Sequence, residues 1–103
     1  MEVHFNNPYL EKLYAGLPIS GKPKYNDELI EKFRSKIIIL QNAENTLALR
    51  QIKSLHFEAL KEDKKGIFSI RIDRKYRLEF LIDKDKITLR EIIFIEDLSN
   101  HYR

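Results

Sequence analysis

FSIRIDRKYRLEFLIDKDKITLREIIFI, residues Phe68 to Ile95, carries the periodicity that decides the architecture. Phe68, Ile70 and Ile72 alternate with Ser69, Arg71 and Asp73, which is the period-two pattern of a strand with one buried face. Arg74-Lys75 reads as a tight turn, after which Tyr76, Leu78, Phe80 and Ile82 alternate with Arg77, Glu79 and Leu81. Asp83-Lys84-Asp85-Lys86 is a polar hairpin connection. Ile87 to Ile95 reads as a third long strand, and its apolar run from Ile92 to Ile95 fits burial on both faces. Connections this short make the three strands antiparallel.

Upstream of the strands the period changes to that of helices. Leu29, Ile30, Phe33, Ile37 and Leu40 recur at spacings of three and four, giving one apolar stripe with Glu31, Lys32 and Lys36 outside it. Asn26 or Asp27 can cap this helix, and Asp27 and Glu28 suit its positive end. A second helical stretch, Glu44 to Ile52, follows a break near Asn42-Ala43, with Leu47 and Ile52 expected to pack inward. Nearer the start, Val3 and Phe5 fall on one side of an extended segment. Asn7-Pro8 then opens a turn, and Tyr9 to Ala15 reads as a short helix stopped by Gly16. Leu17 to Tyr25, with two Pro and Gly21, is a loop. The order predicts an α+β domain: an N-terminal strand, then two or three helices packed on one face of a mainly antiparallel sheet.

The chain has 103 residues, the length of a single domain covering positions 1–103. With 43% hydrophobic residues and only three Gly and three Pro, it has enough apolar material to offset the entropy of ordering, which excludes global disorder and low-complexity classes. No apolar run approaches the ~20 residues of a membrane span, and MEVHFNNPYL has neither the basic nor the apolar region of a secretory signal. Cysteine is absent, which excludes disulfides, thiol chemistry and Cys-ligated zinc, and a cytoplasmic location is expected. Charge is uneven along the chain. Arg50 to Arg77 holds nine Lys/Arg against four acids, a net of +5, whereas the remainder is net −2. Concentrated positive charge suits a polyanion such as nucleic acid; the alternative is a solvated lysine-rich surface.

Arg71 and Arg77 lie on consecutive strands, both out of phase with the apolar residues, so they should emerge together from the sheet face opposite the helices. Two guanidiniums side by side on an open face repel unless an anion joins them, and guanidinium matches phosphate geometry bidentately. The competing reading pairs each with a neighbouring acid, for example Arg77 with Glu79 or Asp73. His4, His56 and His101 are proton carriers by type, yet their spacing fits no metal motif. No Gly-rich phosphate loop and no GxSxG elbow occurs.

Four short motifs carry a resemblance. They are LK-x-D-x-K-G (Leu60 to Gly66), S-I-R-I (Ser69 to Ile72), YRL-x-F (Tyr76 to Phe80) and the NHY of Asn100 to Tyr102. In this order and spacing they resemble the RelE/ParE superfamily of toxins from bacterial type II toxin–antitoxin modules, and within it the HigB, or plasmid maintenance killer, branch. The resemblance implies a RelE-like fold and a ribosome-dependent, metal-independent mRNA endoribonuclease with no cofactor. It also implies a HigA-like helix-turn-helix antitoxin as partner. By the same resemblance Arg71, Arg77, His101, Tyr102 and His56 form the catalytic set, and Lys61, Lys64, Lys65, Arg74 and Lys75 make RNA or phosphate contacts. Many relatives have Gly where this chain has Glu62. Two alternatives stay open: a non-catalytic gyrase inhibitor like the ParE branch, and a degenerate toxin retained for antitoxin binding.

Overall fold

In the computed structural model, which describes residues 1–100, the strongest apolar segment becomes the spine of a five-stranded sheet. Strand β5 (Glu91–Ser99) lies between β1 (Glu2–Phe5) and β4 (Arg77–Lys84), followed by β3 (Phe68–Arg71) and β2 (Glu58–Ala59), in the order β1-β5-β4-β3-β2. The pairings within β2–β3–β4–β5 are antiparallel, while β1 runs parallel to β5, with Val3 opposite Ile93 and Phe5 opposite Ile95. The expected α+β arrangement is the observed one. Ile93 and Ile95 are fully buried and Ile92 and Phe94 only half-buried. The central strand is therefore sealed on its helix side and half-covered on the other.

Three helices supply the opposite half of the core. Helix α1 (Pro8–Ala15) starts on an Asn7 cap whose side chain accepts from the Leu10 N–H at 3.1 Å. It stops at Gly16, whose φ of 71° is the left-handed conformation a side chain would resist. Arg34 then donates from Nε and Nη2 to the Leu13 carbonyl, at 3.0 and 2.8 Å, tying the end of α1 to α2 (Asp27–Asn42). Asn26 is the α2 cap, accepting from the Leu29 N–H at 2.8 Å. The α2 stripe packs as its spacing dictates: Leu29, Phe33, Ile37 and Leu40 are buried against Leu10, Leu13, Leu78, Phe80, Ile93 and Ile95 in one continuous cluster.

Two expectations are corrected. Helix α3 spans only Thr46–Gln51, and Leu49 is its buried apolar residue, whereas Leu47 is 63% exposed and Ile52 also faces solvent. The cause is a polar tie. The Glu91 carboxylate accepts from the Thr46 N–H at 2.8 Å and from its hydroxyl, which turns Thr46 and its i+3 neighbour Leu49 inward and Leu47 out. The third long strand begins at Glu91, not Ile87, and Ile87 is 92% exposed. Asp85 accepts from the Ile87 and Thr88 N–H groups at 2.9 and 2.8 Å, and its own N–H reaches the Arg90 carbonyl at 2.9 Å, so residues 85–90 close as a turn. Those same N–H groups hold the Asp85 carboxyl below the usual carboxylate range. No helix among the described residues is long and apolar enough to cross a membrane.

Candidate functional site

The β3–β4 hairpin fixes the register in which Arg71 stands directly opposite Arg77, Ser69 opposite Glu79 and Ile70 opposite Leu78. Directly opposed residues share a face, so Ser69, Arg71, Arg77 and Glu79 form one polar set while Ile70 and Leu78 enter the core. The turn between the strands is closed by the Ile72 N–H on the Tyr76 carbonyl at 2.9 Å and by Asp73, which accepts from the Lys75 and Tyr76 N–H groups at 2.8 Å each. Arg74 and Lys75 are exposed at this turn.

The two guanidiniums differ in surroundings. Arg71 is exposed, as expected of an open face. Arg77 is only 11% exposed: its Nε donates to Ser69 Oγ at 2.8 Å, its Nη2 donates to the His56 carbonyl, and the same nitrogen lies 3.2 Å from Glu58 Oε2. The corner around Arg77 is closed over by His56 and Glu58, against the expectation of an open face for both arginines. Glu58 is thus an acid partner of Arg77, and it retains 56% exposure of its own side chain.

His56 joins the pair. Its backbone carbonyl accepts from Arg77, and its Nε2 lies 3.3 Å from Arg71 Nη1. A guanidinium can only donate, so a hydrogen bond here makes Nε2 the unprotonated ring nitrogen. The residue reaches this position because its backbone is left-handed, with φ 46° and ψ 53°, at the end of a 3-10 turn over Lys53–Leu55. Beneath the arginines, Glu79 is 3% exposed and its Oε2 lies 2.8 Å from Lys64 Nζ. Lys64, read from the resemblance as a phosphate contact, therefore spends its ammonium fastening the 3-10 turn Glu62–Lys64 to the sheet. Lys61 and Lys65 flank that turn and are exposed. Glu62 itself has φ 60°, in the region that favours glycine.

His56, Arg71 and Arg77 are thus brought together; Lys61 and Lys65 flank the neighbouring 3-10 turn, and Arg74 and Lys75 lie on the β3–β4 turn. His101 and Tyr102 lie outside the described residues. Three further residues complete the site: Glu58 and Ser69, given no role in the sequence reading, and the buried Glu79, weighed there only as an acid partner of Arg77. The phase of Ser69 and Glu79 with Arg71 and Arg77 held the signal for two of them. Among the described residues no group of three His, Asp or Glu side chains is placed to hold a metal ion.

The sheet order and helix placement define a RelE-type toxin fold. Two solved structures share it across nearly the whole chain. A YoeB/ParE toxin from Agrobacterium tumefaciens matches with a TM-score of 0.58 and 14% identity, covering 99% of this chain and 100% of that one. The YoeB–YefM complex from Staphylococcus aureus matches with a TM-score of 0.55 and 19% identity, covering 99% and 98%. Residues 3–90 match the family described as the RelE-like toxin of the type II toxin–antitoxin system HigB. The chain belongs to this HigB-like toxin family. A search of curated proteins gave no match.

Proposed function

We propose that this toxin is a ribosome-dependent mRNA endoribonuclease acting in the cytoplasm, restrained by a HigA-like antitoxin. The observation that carries the reading is the opposed pair Arg71 and Arg77 with the His56 ring and the Glu58 carboxylate beside it. In such cleavage the ribose 2′-OH attacks the adjacent phosphorus, a 2′,3′-cyclic phosphate forms, and the 5′-oxygen leaves with a proton. His56 Nε2 or the Glu58 carboxylate takes the 2′-OH proton. Arg71 offers an exposed guanidinium to the equatorial oxygens, and Arg77, held by Ser69 and the His56 carbonyl, is the fixed half of the clamp. His101 and Tyr102 are the proposed donors to the leaving oxygen. An antitoxin partner is supported by family membership and by the neighbour solved as a toxin with YefM.

Induced expression of wild type, Arg71→Ala and Arg77→Ala tests this. Both variants should lose mRNA cleavage by on the order of 100-fold or more and relieve growth arrest. Arg71 is exposed, so its variant separates chemistry from folding, and a cooperative thermal melt confirms the folded state. Undiminished cleavage by folded Arg71→Ala would refute the reading. Arrest accompanied by a DNA-damage response without mRNA cleavage would favour the gyrase-directed alternative, and no arrest at all would favour a degenerate toxin.

A further inference from the structure

On the helix side of the β3–β4 turn, three tyrosines from different elements form a ladder. The Tyr9 and Tyr25 rings are 6.2 Å apart, and Tyr25 meets Tyr76 edge-on at 5.8 Å with an interplanar angle of 86°. Two of its three members are anchored. Tyr9 Oη accepts from the Lys24 N–H at 2.9 Å, and Tyr25 Oη donates to the Leu98 carbonyl at 3.0 Å. Burial, then the nearby Asp97 carboxylate, pushes the Tyr25 phenol up to about 12, so it stays neutral at physiological pH.

Against Tyr25 and Tyr76 lies a cavity of about 430 Å³, within the size range of small-molecule sites. Lys24 from the α1–α2 loop, Lys32 from α2 and Lys75 from the β3–β4 turn line it together. Two acids share the wall, and both are engaged. Glu28 lies 3.3 Å from Lys32, and Asp73 accepts the two turn N–H groups. Among the described residues no carboxylate pairs with the ammonium of Lys24 or of Lys75, and Lys24 Nζ sits 4.7 Å from the Tyr9 ring centroid. Aromatic rings interleaved with ammonium groups are the combination that holds single-stranded nucleic acid, the rings meeting bases and the cations meeting phosphates. Position adds direction. The wall residues Lys75 and Tyr76 immediately precede Arg77, and exposed Arg74 lies on the turn between the two faces.

We propose that this cavity is a second ribonucleotide subsite, holding the base and phosphate of a nucleotide that flanks the linkage bound at Arg71 and Arg77. Its place along a strand rests on the endoribonuclease reading; its chemistry does not. The test compares binding of non-cleavable 2′-O-methyl RNA dinucleotides and tetranucleotides to wild type and to Lys24→Gln/Lys75→Gln. Both lysines are exposed, so the fold should tolerate the change. Wild type should gain about tenfold in affinity on lengthening, and the double variant less than threefold. A length gain that survives the double substitution overturns the proposal. Titration of adenosine 5′-monophosphate, followed by the ring resonances of Tyr25 and Tyr76, keeps the two readings apart. Movement of those resonances in a protein that cleaves no RNA upholds the subsite and sinks the nuclease. Cleavage without such movement does the reverse. Stronger perturbation by a polyglutamate peptide than by the nucleotide would also overturn the proposal, assigning the cavity to an acidic protein segment.

Discussion

Glu62 holds a left-handed backbone at φ 60°, a conformation that costs a residue with a Cβ about 1–2 kcal/mol relative to glycine. Part of that returns as unfolded-state entropy when Gly is introduced. Glu62→Gly should therefore raise stability by about 0.5–1 kcal/mol in urea denaturation, and it removes a negative charge between Lys61 and Lys64. At Tyr25 the lost hydroxyl bond to Leu98 should cost Tyr25→Phe about 1 kcal/mol. The pH dependence has a definite sign. Because the native phenol ionises near 12 rather than the ordinary ~10, its stabilising contribution is intact below pH ~10 and drains away as pH rises towards 12. The variant's alkaline limb should be flatter when thermal melts are compared across that window. At this scale alternation made Arg71 and Arg77 legible as neighbours, because a period of two allows only two faces. Periodicity could not place Glu58, since it belongs to a strand of two residues, too short to show any period.

Elements were readable where a long pattern met a chemical stop, and misread where a single polar contact outweighed the pattern. Helix α2 announces itself by Asn26 and by four buried residues in phase. Helix α3, at six residues, has its orientation set by Glu91 on β5, a partner 45 positions away. The start of β5 was misplaced for a similar reason, since Asp85 draws Ile87 and Thr88 into a turn despite their β-branched side chains. The Glu91 tie is open to measurement. Partial burial would raise its pKa, but the Thr46 hydroxyl and N–H outweigh that and hold it below the ordinary value of about 4.3. The contact thus stabilises the protein fully above that value and less as pH falls through the depressed native pKa. Thr46→Val, which loses the hydroxyl donor, should show a shallower loss of Tm on acidification than wild type. An identical acid limb in the two proteins would count against the assignment.

For the whole molecule, the antiparallel β3–β4–β5 meander and the helix-covered face followed from local patterns, whereas the place of β1 did not. Nothing in Glu2–Phe5 specifies a parallel neighbour; that pairing depends on β5 presenting an unoccupied edge once β4 has taken the other. The basic segment of the sequence likewise becomes a surface only through topology, which folds His56 and Glu58 over Arg77, ties Lys64 to Glu79 and brings Lys24 and Lys32 to the same hairpin turn as Lys75.

The parallel union of β1 with β5 also bears on how the chain matures during translation. The segment made first must wait for Ile92–Ile95 before its ladder can form, so the sheet cannot be completed on a growing polypeptide until those residues clear the exit tunnel. Nascent chains stalled before Glu91 should remain open to protease, and those released after Ser99 should resist it. The pairing of one edge strand thus decides the point in synthesis at which the sheet can close.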